Sequence, residues 1–343
     1  TVLGVSVPLL VFGKALGPAI TDLYNIVSTD LGLLFQWATI GAMALLGWLA
    51  FSKYGKIKFG DADDTPEFST LSWIGMLFSA GVGGGLMYWA GVEWASYYSK
   101  PPFGAEAGST EAITWATSYG LFHWGIAAWC LYALPTVALC YSFYIKKIPY
   151  LRLSAAVLGE KGSTTILGRL IDLSFMIGLI GGAGTALALS SPMISQSVAA
   201  LTGTEVTPEN SNLFDIASVS ICILLFAASV YMGLEKGIKK LADLNFMLSI
   251  LLLVFVLVAG PTSFILAVGT EAIGATISNF FTMLFYTDPI EETGFVQDWT
   301  IFYWAWWIAF APFVGIFVTR ISKGRTIREI ILSMCAFGSM GAW

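Results

Sequence analysis

Four tryptophans fall within nine residues, at Trp299, Trp304, Trp306 and Trp307, and the aromatic character continues to Phe310 and Phe313. An indole face is electron-rich. A cluster of indoles therefore holds a cation that has no hydrogen to donate, above all a methylated ammonium group, at up to about 2 kcal/mol per desolvated contact. A second set, Trp124, Trp129 and Tyr132, follows Phe122-His123. At about 100° per residue on one helix, these three rings span an arc of roughly 140°. Rings of this kind also serve as interfacial belts or as plain core. Belt residues sit near the ends of a span, whereas the later tryptophans of the first set lie well inside an apolar run. That placement favours a ligand cage.

A third feature is Ala80-Gly81-Val82-Gly83-Gly84-Gly85, with four glycines in five positions. Each weakens a helix by about 1 kcal/mol relative to alanine. Two readings fit. The stretch is unwound at mid-membrane, where freed backbone groups meet a cavity, a ligand or an ion, or it is a small-residue surface for close helix packing.

The titratable residues are few. Glu93 and Asp172 lie near the ends of apolar runs, which suits interfacial placement or helix capping, although acids inside a membrane are functional candidates by default. His123 is the single histidine. It is a proton-coupling candidate by residue type, and a hydrogen-bonded structural histidine by the simpler reading. Cys130, Cys140, Cys222 and Cys335 are far apart in apolar runs, and read as small buried hydrophobes. No ligand spacing for zinc or a di-metal centre occurs, and no resident cofactor is implied.

The elements that must position these residues are membrane helices. The chain is 57% hydrophobic and 11% charged, against about 25% charged for a soluble domain. A net charge of −5 gives no footprint for nucleic acid. Runs of about 20 apolar residues lie near 1–20, 31–52, 72–98, 114–144, 168–200, 213–233, 241–266 and 299–319, and a ninth begins near 329. Lys and Arg concentrate after the second, fourth, sixth and eighth runs. The alternate loops hold only Lys14 and Lys100. This alternation places the basic loops on the cytoplasmic side. The amphipathic segment 269–286 is expected to lie along the outer surface. Apolar runs meet both ends, so the chain is expected to be truncated at both.

Taken together, these segments resemble the betaine/choline/carnitine transporter family. The motifs are Gly81-Val82-Gly83-Gly84-Gly85-Leu86-Met87 with Glu93 and Pro101-Pro102, Phe122-His123-Trp124 with Trp129 and Tyr132, and Trp299 to Trp307. With them goes the highly specific Ile321-Ser322-Lys323-Gly324-Arg325-Thr326-Ile327-Arg328-Glu329. The resemblance implies an all-α membrane protein of the LeuT-type inverted-repeat fold, a homotrimer in a bacterial cytoplasmic (inner) membrane. Residues 1–70 would form two leading helices and a cytoplasmic loop. The first five-helix repeat would be 71–266, a periplasmic surface helix and loop 267–298, and the start of an incomplete second repeat 299–343. The missing later helices would include one that contributes to a sodium site.

By the same resemblance, Trp124, Trp129, Tyr132 and Trp307 match the box around a trimethylammonium group, and Trp304 and Trp306 match its neighbours. Gly83 and Gly85 match the stretch that meets substrate. Ser79, the Val82 backbone, Phe313 and Lys239 are the ion-coupling candidates, with sodium at Ser79 and Val82. The implied function is secondary transport of a quaternary-ammonium osmolyte, glycine betaine first, by sodium symport. Val82 and Phe310 depart from the family's frequent Met and Trp. Val314, where sodium-independent carnitine exchangers carry Met, favours symport. Lys239, aligned with the arginine those exchangers use in place of an ion, favours exchange. Proton-coupled choline uptake is a further alternative, and a channel would need a pore lined by carbonyl or charged rings. No nucleophile or cofactor motif supports an enzyme.

Overall fold

In lipid a peptide group has no water to bond, so a spanning segment satisfies its backbone internally, as a helix. The computed structural model describes residues 2–61, 63–81, 83–207, 210–233, 237 and 239–343. Among these, everything regular is helical except one isolated antiparallel bridge, Lys58 to Thr326. The helices are α1 (Val2–Asn25), α2 (Gly32–Phe51), α3 (Thr70–Gly81), α4 (Gly84–Ser99), α5 (Thr110–His123), α6 (Ile126–Cys140) and α7 (Leu153–Ser163). They continue with α8 (Ile166–Thr202), α9 (Ser211–Gly233), α10 (Lys239–Ala259), α11 (Thr262–Phe285), α12 (Phe302–Ile321), α13 (Ile327–Ser333) and α14 (Ser339–Ala342). Eight of the described helical segments are long and apolar enough to cross a membrane, and nine if α3 and α4 form one bent span.

The apolar runs read from the sequence are built of helix, but three of them are interrupted: 72–98 at the glycine stretch, 114–144 and 241–266. The run 114–144 is two helices, α5 and α6, separated at Trp124-Gly125. The single-helix arc drawn for Trp124, Trp129 and Tyr132 therefore does not hold, because Trp124 closes α5 and the other two stand on α6. Run 241–266 ends early: Pro261 has no N–H to continue α10, so the chain restarts as α11 at Thr262. The expected surface helix is thus 24 residues long. By length and composition it qualifies as a span in its own right.

Among the described helices the most extensive packing is that of α6 against α12. Gly315 lets the two backbones approach: a Cβ there would stand 3.0 Å from Leu139 Cδ1 and 3.2 Å from the Thr136 amide. Tyr144 ties the C-terminal ends of the two together, its hydroxyl donating to the Thr319 carbonyl at 2.9 Å. Outward faces of α9 and α10 expose large apolar side chains, including Leu224, Phe226, Tyr231 and Phe255. That is the surface expected where the surrounding medium is hydrocarbon. Asp172 does cap a helix, but α7 rather than its own. It accepts from the Ser154 amide at 3.0 Å and from Arg152 Nε at 2.8 Å.

The motif 321–329 holds the loop between α2 and α3. Phe59 donates its amide to the Arg325 carbonyl (2.8 Å), Gly324 to Phe59 (2.7 Å) and Ile327 to Ile57 (2.9 Å). The Arg325 guanidinium lies 4.6 Å over the Trp73 ring and reaches the Phe68 carbonyl at 3.1 Å. Lys323 pairs with Asp64 at 3.1 Å. The Asp61 amide, and then Lys323, hold the Asp64 carboxyl below its ordinary range. Thr326 and Glu329 form a capping box that starts α13. Gly324 has φ +81°, and a Cβ there would meet the Pro66 nitrogen at 2.7 Å. Left-handed backbone costs a non-glycine residue about 1–2 kcal/mol before any clash. Gly324→Ala is therefore expected to lower the thermal unfolding midpoint of the purified protein by at least a few degrees. An unchanged midpoint would show that the clasp is not under this constraint.

An aromatic cavity beside a glycine break

α12 brings Trp307 against α6. Its ring centroid lies 4.6 Å from Tyr132, 6.2 Å from Trp129 and 5.5 Å from Trp124. Trp124 reaches the group because the break at Gly125 turns it away from the axis of α6. Trp307, Tyr132 and Trp124 border a cavity of about 220 Å³. Its aromatic wall is Trp124, Tyr132, Trp306 and Trp307, its glycine wall is Gly83 and Gly85 with Leu86, and Phe310, Phe313 and Val314 line its remaining side. A cavity so apolar, walled by ring faces, is suited to a cation whose charge lies beneath methyl groups.

The remaining candidates are placed differently. Trp129 is fully buried behind Trp307. Its ring lies against the backbone of Gly338, where any Cβ would collide with it. Trp304 is also fully buried and does not line the cavity. It packs edge-on to Phe122 and His123, with centroids 5.6 Å and 5.8 Å away. Ser79 turns its hydroxyl to the Ala242 carbonyl on α10, at 3.0 Å. Phe313 lines the cavity and is half-exposed. Val82 lies outside the described residues, as does the side chain of Lys239, which opens α10.

The glycine stretch is a break in the helix. α3 ends at Gly81 and α4 starts at Gly84, with Gly83 extended (φ −138°, ψ 173°) and the two helices bent by 55°. At the start of α4 the Met87 amide bonds the Gly83 carbonyl at 3.1 Å. Helix N-terminal amides have no partner inside the helix and carry partial positive charge. Close packing operates here as well. A Cβ on Gly85 would stand 2.8 Å from the edge of the Trp306 ring.

Glu93 is where sequence reading falls short. Interfacial placement or a cap was the expectation, yet the residue is buried inside the protein. Its carboxylate accepts from the Tyr97 hydroxyl at 2.7 Å, from Trp124 Nε1 at 3.0 Å and from the Tyr303 hydroxyl. Tyr97 also meets His123 Nδ1 at 2.8 Å, and His123 Nε2 meets Thr300 Oγ1 at 3.1 Å. A hydroxyl has one proton to give. With Tyr97 donating to Glu93, His123 Nδ1–H donates to Tyr97 and Nε2 accepts from Thr300. His123 is thus the hydrogen-bonded structural histidine the simpler reading expected. The signal that could have exposed Glu93 is the recurrence of polar side chains at helical spacing, Glu93 with Tyr97 and Thr300 with Tyr303, in otherwise apolar runs. Among the described residues, no group of His, Cys, Asp and Glu could hold a metal ion.

The family model for betaine/carnitine/choline family transporters (BCCT) matches residues 1–343. The chain belongs to this family. A carnitine transporter of Acinetobacter baumannii is 39% identical over 297 residues, which is 86% of this chain and 53% of the relative. The chain therefore spans about half the length of the curated relative it matches. The BCCT family is one of transporters, not enzymes.

In this BCCT chain the glycine wall and the aromatic wall touch at Gly85 and Trp306. Gly85→Ala is expected to weaken binding of a trimethylammonium ligand at least fivefold, followed by quenching of tryptophan fluorescence. Gly91→Ala, on the same helix with open space at its Cβ, is expected to leave binding unchanged. Equal behaviour of the two variants would remove Gly85 from the site.

Proposed function

We propose that this chain forms the substrate-binding part of a secondary transporter for a trimethylammonium zwitterion, glycine betaine first, working by alternating access and coupled to sodium. The observation that carries the reading is the convergence of Trp124, Tyr132 and Trp307 on one cavity, opposite the N-terminus of α4. The rings suit the onium end at up to about 2 kcal/mol per face. The amides at the N-terminus of α4, which carry partial positive charge, suit a carboxylate at the other end. A zwitterion with its charges a few bonds apart matches both. The reading includes a LeuT-type arrangement of inverted repeats, a homotrimer and a bacterial cytoplasmic membrane, in keeping with the family and with basic residues concentrated in every second loop, on one side.

Sodium coupling draws support from the helix break, which frees backbone groups beside the cavity, and from Val314 with Pro312-Phe313. A second reading, carnitine as cargo, is favoured by the relative that carries that substrate in its name. Carnitine presents the same trimethylammonium group and a carboxylate at the end of a longer chain.

Uptake of radiolabelled glycine betaine and carnitine into proteoliposomes, with and without an inward sodium gradient, separates these readings. The expected result is betaine uptake that needs sodium and falls at least tenfold in Trp307→Ala, since about 2 kcal/mol is worth roughly 30-fold. Uptake indifferent to sodium but stimulated by internal substrate would replace the symporter with an exchanger. Preference for carnitine would transfer the cargo to the second reading.

A further inference from the structure

We propose that Glu93 is the charge-bearing positioning residue of the onium site, and that it makes the cavity selective for a cation through the indole of Trp124. This rests on the onium-site reading above and adds a residue that does not line the cavity. Indole N–H can only donate, and that of Trp124 is directed at Glu93 Oε2, 3.0 Å away. The same indole borders the cavity, with its ring 5.5 Å from Trp307 and 6.2 Å from Trp306. Tyr303, which also donates to Oε2, stacks at 12° on Trp306, another ring of that wall. One carboxylate thus anchors one cavity ring directly and a second through Tyr303.

The electrostatics of this arrangement are one-sided. All three donors to Glu93 are neutral hydroxyl or indole groups. Among the described residues, no Lys, Arg or His forms an ion pair with it. Three hydrogen bonds occupy its oxygens, but they do not cancel the charge of the carboxylate. Buried away from water, that charge is poorly screened, and the indole that donates to it, Trp124, lines the onium cavity. Trp124 and Leu86 separate the cavity from a second one of about 720 Å³ that Glu93 itself borders, between α4, α5 and α11. Donation to an anion also pushes electron density into the indole, so its face becomes a better seat for a cation. The substrate's ammonium is the counter-charge that Glu93 otherwise lacks.

A purely structural Glu93 would hold Trp124 in place for any ligand of the right shape, whereas a charge-bearing one distinguishes a cation from its neutral copy. The probes are glycine betaine and 3,3-dimethylbutanoate, which replaces the ammonium nitrogen by carbon and keeps the carboxylate. Both compete against radiolabelled betaine on the intact reconstituted protein. For Glu93→Gln, of equal size, the apparent affinity for betaine is expected to fall about tenfold, while that for the isostere changes less than twofold. A parallel fall for both ligands, or no fall for betaine, overturns the proposal. A cycle with Trp124→Phe, which keeps a ring and removes the indole N–H, gives the second measurement on betaine alone. The double variant is expected to bind no more than twofold worse than Trp124→Phe, and additive losses overturn the route through the indole. Should the isostere compete too weakly with either protein, the cycle decides. If Trp307→Ala leaves betaine affinity intact, the onium-site reading itself has failed, an outcome distinct from a failure confined to Glu93.

Discussion

Every peptide group released from a helix inside a membrane has to find another partner, and that constraint organises this chain. Most of its helices run unbroken, as the constraint demands. Interruptions cost free energy unless something compensates them. The two that matter, at Gly81–Gly84 and at Trp124-Gly125, both border one cavity. The first frees the amides at the start of α4 and bends the chain by 55°. The second lets Trp124 leave the face it would occupy on a continuous helix and join Trp307 and Tyr132. The cavity is therefore assembled from exceptions to the rule that shapes the rest of the protein.

How much of this could be read in the residues follows from the same physics. Span positions were legible because hydrocarbon selects composition directly, and the apolar runs are built of helix. The box was legible in part. Trp124, Tyr132, Trp306 and Trp307 share a cavity, but Trp304, indistinguishable from them by residue type, faces Phe122 and His123. Which way a ring points depends on the helix's rotation against its neighbours, and periodicity within a single run does not set that. The break at Gly125 was hidden for a related reason. A lone glycine inside an apolar run looks like a packing residue until its flanking helices are known to diverge. Glu93 was misjudged because distance from the end of a run is a poor guide to burial when the helix it stands on begins at a break.

The clasp between the 321–329 motif and the loop after α2 is the other part of the chain with a distinctive sequence, and its character is the reverse of the cavity's. Its contacts are backbone-to-backbone hydrogen bonds, a guanidinium held by a carbonyl and an indole face, and the Lys323–Asp64 ion pair. It fixes the C-terminal end of α12, and through Gly315 and Tyr144 the register of α12 on α6. The rings of Trp307 and Tyr132 face each other because that register is held. A motif with no chemistry of its own thus contributes to the geometry of the site by setting where two helices stop.

The seat of Trp129 has a consequence of a different kind. Its indole backs the aromatic wall and is covered by the backbone of Gly338, far along the chain. Helices enter a membrane in the order in which they are synthesised. Trp129 is therefore inserted with one face bare, and stays so while the following spans are made. Only when residue 338 has left the ribosome and docked is the ring enclosed. The wall behind the cavity closes only after the helices between α6 and Gly338 have been made, and a nascent chain halted before that point carries the rings of the site without the support that holds them.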